Sequence, residues 1–224
     1  MKHPFSAVRY DNFPGRDENV PGYRHLWYLV IWPVVLLRYI LVENLPLTGA
    51  YMPIRSPLDD IIPFCEWFLI PYVLWYAYII GMHLYLLHRD VEAYRKYSRF
   101  LIVSFGISTA VFLLFPSCQN LRPTEFPREN LLTGLVKLIY EADTNTNVFP
   151  SEHAIGSMAA FAAAMNSKSL KTPGKLTAIG AVSLLICLST VFMKQHSVLD
   201  VAGAIPVCMA AYAIVYGRNE NADG

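Results

Sequence analysis

Residues 176–216 read LTAIGAVSLLICLSTVFMKQHSVLDVAGAIPVCMAAYAIVY, in which two apolar runs are separated by the short polar group KQHS. Each run is close to the length of about 20 residues that an α-helix needs to cross ~30 Å of hydrocarbon. The stretch therefore predicts two membrane-crossing helices, with the polar connection between them at one face of the membrane.

The whole chain follows the same pattern, because 54% of its 224 residues are hydrophobic and only 16% are charged. This balance is more apolar than that of ordinary soluble domains. Six apolar runs recur along the chain, and the fourth is short. We predict an all-α fold, a six-span transmembrane helical bundle that occupies residues 26–216. The runs cover residues 26–42, 61–87, 100–115, 153–165, 176–193 and 197–216.

Composition also excludes several classes of protein. A net charge of +1 is not the footprint of a nucleic-acid-binding protein. The four cysteines show no CxxC spacing, and three of them lie inside predicted spans, so neither a zinc site nor a disulfide framework is indicated. We expect no metal and no cofactor. The cysteines are Cys65, Cys118, Cys187 and Cys208.

Lysine and arginine predict the orientation of the bundle. With a cytoplasmic N-terminus, twelve basic residues fall in cytoplasmic segments and five in outer segments, as the positive-inside rule requires. The arm of residues 1–25 and the tail of residues 217–224 are then cytoplasmic. The arm has no apolar core, so it does not have the pattern of a cleavable signal peptide. We expect an N-in, C-in protein of the plasma (cytoplasmic) membrane.

This orientation collects polar side chains at the extracytoplasmic face, where a site is expected. His196 and Asp200 are four residues apart at the start of the sixth span, so they share one helical face. The carboxylate can hold one imidazole nitrogen and leave the other as a nucleophile. His153 follows Ser151 at the start of the fourth span, where free backbone N–H groups favour an anion.

The same face holds residues suited to a phosphate group. Ser151 is a candidate cap or phosphate donor, and Arg122 and Lys194 are candidate cations for the oxygens of a transferring phosphoryl group. Lys194 is equally suited to anchoring at headgroup level. Two histidines, one carboxylate and several cations together indicate phosphoryl transfer.

Three further features support separate predictions. Arg38, within the first span, either faces the outer cavity or pairs with an acid such as Glu43 or Glu66. Glu152 is suited to complementing the N-terminus of its helix. The long outer loop, residues 116–151, has an apolar helical rhythm that predicts an amphipathic helix on the membrane surface. The rhythm is formed by Leu131, Leu132, Leu135, Leu138 and Ile139.

The chain resembles the type 2 phosphatidic acid phosphatase superfamily (PAP2), whose motifs are KxxxxxxRP, PSGH and SRxxxxxHxxxD. Here they read FPSCQNLRP, PSEH and STVFMKQHSVLD. The resemblance implies a phosphohistidine mechanism without a metal: His196 as nucleophile, Asp200 as its orienting partner and His153 as the acid. It also implies that Arg122 and Ser151 bind phosphate.

The chain departs from these motifs at Phe115, Glu152 and Thr190, where the superfamily has lysine, glycine and arginine. Two cations are therefore missing, and we expect Lys194 to replace one of them. The resemblance implies an integral membrane phosphatase that hydrolyses lipid phosphate monoesters or pyrophosphates, with no nucleic acid involved.

Two alternatives remain. The Ser-Thr opening and QHSVLD ending of the third motif are also similar to the inositol phosphorylceramide synthase branch, which would make the protein a phospholipid headgroup phosphotransferase. The missing cations would also suit a non-catalytic lipid transporter or binding protein.

Overall fold

The computed structural model describes residues 21–44 and 51–217, which are mostly helical. The predicted N-terminal arm and C-terminal tail lie almost entirely outside these residues. The helices are α1 (Ile31–Asn44), α2 (Pro57–Ile61), α3 (Leu69–Arg89), α4 (Val91–Leu114), α5 (Leu131–Ala142), α6 (Glu152–Asn166), α7 (Pro173–Phe192) and α8 (Val198–Tyr216), with 3₁₀ helices at Pro21–Val30 and Glu66–Phe68. Two short strands, β1 (Met52–Pro53) and β2 (Ser117–Cys118), pair in parallel.

Among the described residues, five helical segments are long and apolar enough to cross a membrane. Large apolar side chains such as Leu36, Leu184 and Met209 are exposed on their outer faces, where a soluble protein would have polar residues. The described chain therefore has the features of an integral membrane protein. The segments are His25–Asn44, Glu66–Arg89, Val91–Leu114, Pro173–Phe192 and Val198–Tyr216.

The fourth predicted run forms α6, which has 15 residues and falls short of that length. It is the central helix of the bundle and contacts α3, α4, α7 and α8. Its alanines and glycine bring the neighbours close: a Cβ atom on Gly156 would lie 2.9 Å from Nε1 of Trp75. The central position follows from this small-residue face.

Two predicted boundaries were wrong. The second run was expected from residue 61, but residues 57–61 form the separate helix α2, and the long helix begins only at Glu66. The third run was expected from residue 100, but α4 begins at Val91, where the Asp90 side chain accepts a hydrogen bond from the Ala93 N–H. The first turns of α4 carry exposed charged residues, so the apolar run begins only after the helix has started.

The predicted helix in the long loop is confirmed as α5, which begins after the cap Asn130. Val136 is buried, whereas Leu131 and Leu138 are exposed. Because successive long helices alternate in direction, residues 51–65, 115–151 and 193–197 lie at the same end of the bundle, called here the site end.

Candidate active site

His196 lies at the site end, in the turn between α7 and α8. Its Nδ1 is 3.3 Å from Oδ2 of Asp200, which is fully buried in the first turn of α8. The same Oδ2 accepts a hydrogen bond from the Ser197 N–H at 2.8 Å. A carboxylate facing Nδ1 favours the tautomer with the proton on that nitrogen and leaves the lone pair on Nε2.

His153 lies in the first turn of α6, between two aromatic rings. Its ring centroid is 4.3 Å from those of both Tyr72 and Trp75. The residue is 9% exposed, and its Nε2 has no hydrogen-bond partner among the described residues. Buried polar atoms are rarely left without a partner, so this nitrogen is available to a ligand or a water molecule.

The two histidines face each other, with ring centroids 6.1 Å apart. Both line a cavity of about 750 Å³ between α1, α3 and α4, whose other lining residues are mainly apolar and aromatic. A volume of this order accommodates a drug-sized ligand. The structure therefore brings His153 and His196 together in this cavity, with Asp200 buried behind His196.

Asp59, in α2, holds the start of α8. Its Oδ2 accepts hydrogen bonds from Ser197 Oγ at 2.6 Å and from the Ser56 N–H at 2.7 Å, and its Oδ1 accepts one from the Val198 N–H at 2.8 Å. The carboxylate is 2% exposed. Sequence reasoning missed this residue, although the capping-box pattern SPLD at residues 56–59 was a usable signal.

Lys194 does not line the cavity. Its Nζ donates to the carbonyl oxygens of Asp59, at 2.6 Å, and Ile62. Burial lowers the pKa of Lys194, and the carboxylates of Asp59 and Asp60 oppose this effect. The ammonium group thus joins the turn before α8 to the α2 segment, and phosphate binding by Lys194 stays a prediction.

Arg122 is also occupied by protein groups. Its guanidinium donates to Gln195 Oε1, at 2.7 Å from Nη2, and to the carbonyl oxygens of Tyr140, Asp143 and Thr144. It therefore connects the loop before α6 to the residue preceding His196.

Ser151 is fully buried and is the N-cap of α6. Its side chain accepts from the Ala154 N–H at 3.5 Å, and its own N–H donates to the Asp200 carbonyl oxygen at 3.0 Å. These bonds fix the starts of α6 and α8 relative to each other. Neither Arg122 nor Ser151 is among the residues that line the cavity.

Arg38 is the cation that does line the cavity. Its guanidinium forms a two-pronged ion pair with Glu152, with Nη1 2.6 Å from Oε1 and Nη2 2.5 Å from Oε2. Thr109 Oγ1 accepts a further bond at 2.8 Å, and Ser108 donates to the same carboxylate. Both interpretations of Arg38 hold, since it lines the cavity and pairs with an acid, but the acid is Glu152 and not Glu43 or Glu66.

The described fold and site define a helical integral membrane protein with an apolar cavity that ends at two histidines. Among residues 21–44 and 51–217, no group of three or more His, Cys, Asp or Glu side chains is placed to hold a metal ion. Comparison with family models, curated proteins and solved structures found no match to the chain.

Proposed function

We propose that the protein is a membrane enzyme that cleaves lipid phosphate monoesters or pyrophosphates by transferring the phosphoryl group to His196. The observation that carries the proposal is the pair of facing histidines at the end of an apolar cavity, one of them held by a buried carboxylate. An apolar cavity within the bundle suits the hydrocarbon part of a lipid, and the histidines suit its phosphate.

In the proposed reaction, Nε2 of His196 attacks phosphorus and the bond to the leaving oxygen breaks. His153 gives a proton to that oxygen. Water then attacks the phosphohistidine while His153 takes up a proton, and phosphate leaves. Asp200 keeps the imidazole of His196 oriented and stabilises the positive charge that it acquires.

The proposed arrangement in the membrane is a six-span bundle of the PAP2 type, in which α6 is the fourth crossing and joins the five longer segments. Exposed basic residues, among them Arg89, Arg95 and Lys168, lie at the end opposite the site. By the positive-inside rule this end is cytoplasmic, which puts the site on the extracytoplasmic side of the plasma membrane.

The test is phosphate release by the purified protein from phosphatidic acid, phosphatidylglycerol phosphate and polyprenyl pyrophosphate. We expect His196→Ala and His153→Ala each to abolish release and vanadate to inhibit the wild type. His88→Ala is the matched control, because His88 is exposed at the opposite end of α3. Near-wild-type release by both site variants would overturn the proposal.

A second candidate function is transfer of a phospholipid headgroup to another lipid alcohol. It is favoured by the charges of the described residues that line the cavity, where Glu43, Asp143 and Glu152 supply three carboxylates and Arg38 supplies one guanidinium. This arrangement does not favour a dianionic phosphate monoester. Labelled phospholipid, assayed with and without an acceptor lipid, separates the two functions: acceptor-dependent product without free phosphate indicates transfer.

A further inference from the structure

Two of the cavity carboxylates have no cationic partner among the described residues. Glu152 is paired with Arg38, whereas Asp143 accepts a hydrogen bond from the Tyr39 hydroxyl at 2.7 Å and Glu43 accepts one from the Thr144 hydroxyl. Both of these partners are neutral. Negative charge at the wall of a largely apolar cavity attracts a cation more strongly than it would in water.

Arg122 is another cation at the site end, but it does not line the cavity. Its donors are taken by Gln195 and by the backbone carbonyls of Tyr140, Asp143 and Thr144 rather than by a carboxylate. It therefore reduces the negative potential of the cavity without forming an ion pair there. The carboxylates of Glu43 and Asp143 stay available to a positively charged group of a ligand.

Aromatic rings line the same cavity. Tyr72 and Trp75 enclose His153, and the Tyr76 ring lies 6.1 Å from it. Tyr39, which binds Asp143, is also part of the lining. Aromatic faces combined with carboxylates are the protein surroundings that bind alkylammonium groups, by cation–π attraction and by charge.

An independent observation indicates the other half of the ligand. Gln195 lines the cavity and is 3% exposed, and its Nε2 has no partner among the described residues because Arg122 binds only its Oε1. His153 Nε2 likewise has none. Two buried nitrogens without partners call for hydrogen-bonding atoms on the ligand, and phosphate oxygens are the strongest acceptors that a lipid offers.

We propose that the cavity binds a zwitterionic phospholipid headgroup, with the ammonium group at Glu43 and Asp143 and the phosphate between His153 and His196. The position of the phosphate rests on headgroup transfer, the second candidate function, which acts on phosphodiesters. The position of the ammonium group rests on the two carboxylates and on the ring of Tyr39, whose hydroxyl binds Asp143.

The chemical step is the same first transfer, applied to a phosphodiester. His196 Nε2 attacks phosphorus, the bond from phosphorus to the diacylglycerol oxygen breaks, and His153 protonates that oxygen. The headgroup phosphate stays on His196 until water or a lipid hydroxyl attacks, and the proton of that nucleophile goes to His153. Both imidazoles return to their starting state.

The experiment uses the full chain in detergent and four phospholipids with identical acyl chains: phosphatidylethanolamine, phosphatidylcholine, phosphatidylglycerol and phosphatidic acid. Binding is measured on the His196→Ala variant, so that turnover does not consume the ligand. Turnover is measured separately on the wild type. We expect the two zwitterionic lipids to bind at least about tenfold more tightly than the two anionic ones.

Isosteric variants test whether the preference for zwitterionic lipids comes from the ammonium subsite formed by Glu43 and Asp143. Glu43→Gln and Asp143→Asn, each combined with His196→Ala, should lose about tenfold in affinity for the zwitterionic lipids. Their affinity for the two anionic lipids should not fall. Glu141→Gln is the matched control, because Glu141 is exposed two residues from Asp143 and does not line the cavity. Melting curves of all variants exclude a loss of affinity through unfolding.

The outcomes separate the two proposals. If phosphatidylglycerol or phosphatidic acid binds as tightly as the zwitterionic lipids, Glu43 and Asp143 do not bind an ammonium group. This holds whatever the turnover is. Equal affinities in Glu43→Gln, Asp143→Asn and Glu141→Gln overturn the ammonium subsite as well. Selective binding without turnover of any of these lipids leaves the binding of the ammonium group standing and overturns headgroup transfer by His196.

Discussion

Ser197 Oγ donates a hydrogen bond to Asp59 Oδ2 over 2.6 Å, and this bond joins two helix starts that are 138 positions apart in the chain. Both starts are capping boxes of the form Ser-x-Leu-Asp, at residues 56–59 and 197–200. Asp59 closes its own box and also binds Ser197 and Val198 in the other. The short helix α2 thereby positions the turn that carries His196.

Asp59→Asn should lower turnover while leaving the fold intact. The amide keeps the size of the carboxylate but removes its charge and places a donor opposite other donors, so the start of α8 shifts relative to His153. We expect kcat to fall by about tenfold or more, with a smaller change in KM. Purified variant and wild type are compared with whichever lipid the wild type turns over.

Asp60→Asn is the control for this prediction, because Asp60 is exposed and pairs with Arg55. It should leave kcat unchanged. If Asp59→Asn and Asp60→Asn have the same kcat, Asp59 has no positioning role.

Lys194→Met should affect stability more than substrate binding. It removes the donor to the carbonyl oxygens of Asp59 and Ile62 and leaves them buried without a charged partner. The loss is about 2 kcal/mol of unfolding free energy, measured by denaturant titration in detergent. A raised KM with unchanged stability would instead assign Lys194 to phosphate binding.

Arg38 and Glu152 should behave as one unit in a double-mutant cycle. Arg38→Gln leaves the carboxylate without its partner and should cost about 3 kcal/mol, and Glu152→Gln should cost a similar amount. The double variant should be more stable than the sum of the two losses predicts, because neither charge is left alone. Strictly additive losses would mean that the ion pair contributes nothing to the fold.

Cysteine labelling tests the proposed orientation. In a variant without the native cysteines, Glu129→Cys at the site end and Lys168→Cys at the opposite end are both at exposed positions. A membrane-impermeant maleimide applied to intact cells should label only Glu129→Cys and should label both after permeabilisation. The reverse pattern would put the site on the cytoplasmic side.

The apolar runs were enough to predict the long helices, because helices that face lipid need continuous apolar surface. The boundaries failed where the chain leaves the lipid-facing part. Charged residues in the first turns of α4 pack at the end of the bundle, and Pro63 separates α2 from the helix that follows. Hydropathy indicates whether a residue faces lipid or water. It does not indicate the residue at which the backbone hydrogen bonds of a helix begin.

The sequence alone also indicated that His153, His196 and Asp200 would meet, because the two motifs begin helices at the same end of the bundle. It did not indicate which cation reaches the cavity. Arg38 pairs with Glu152 across 114 positions, and no local pattern encodes a contact at that separation. The donors of Arg122 and Lys194 are likewise taken by backbone carbonyls that only the folded chain supplies.

The shortness of α6 has a consequence for water. A helix of 15 residues is ~22 Å long, against ~30 Å of hydrocarbon, so α6 alone does not fill the thickness that its crossing has to cover, and His153 lies at its site end. In the proposed arrangement a lipid presents its phosphorus to the histidines below headgroup depth, where bulk water is scarce. The phosphohistidine then reacts either with a water molecule or with a lipid hydroxyl that is already at that depth. The ratio of hydrolysis to transfer depends on which of the two reaches it more often.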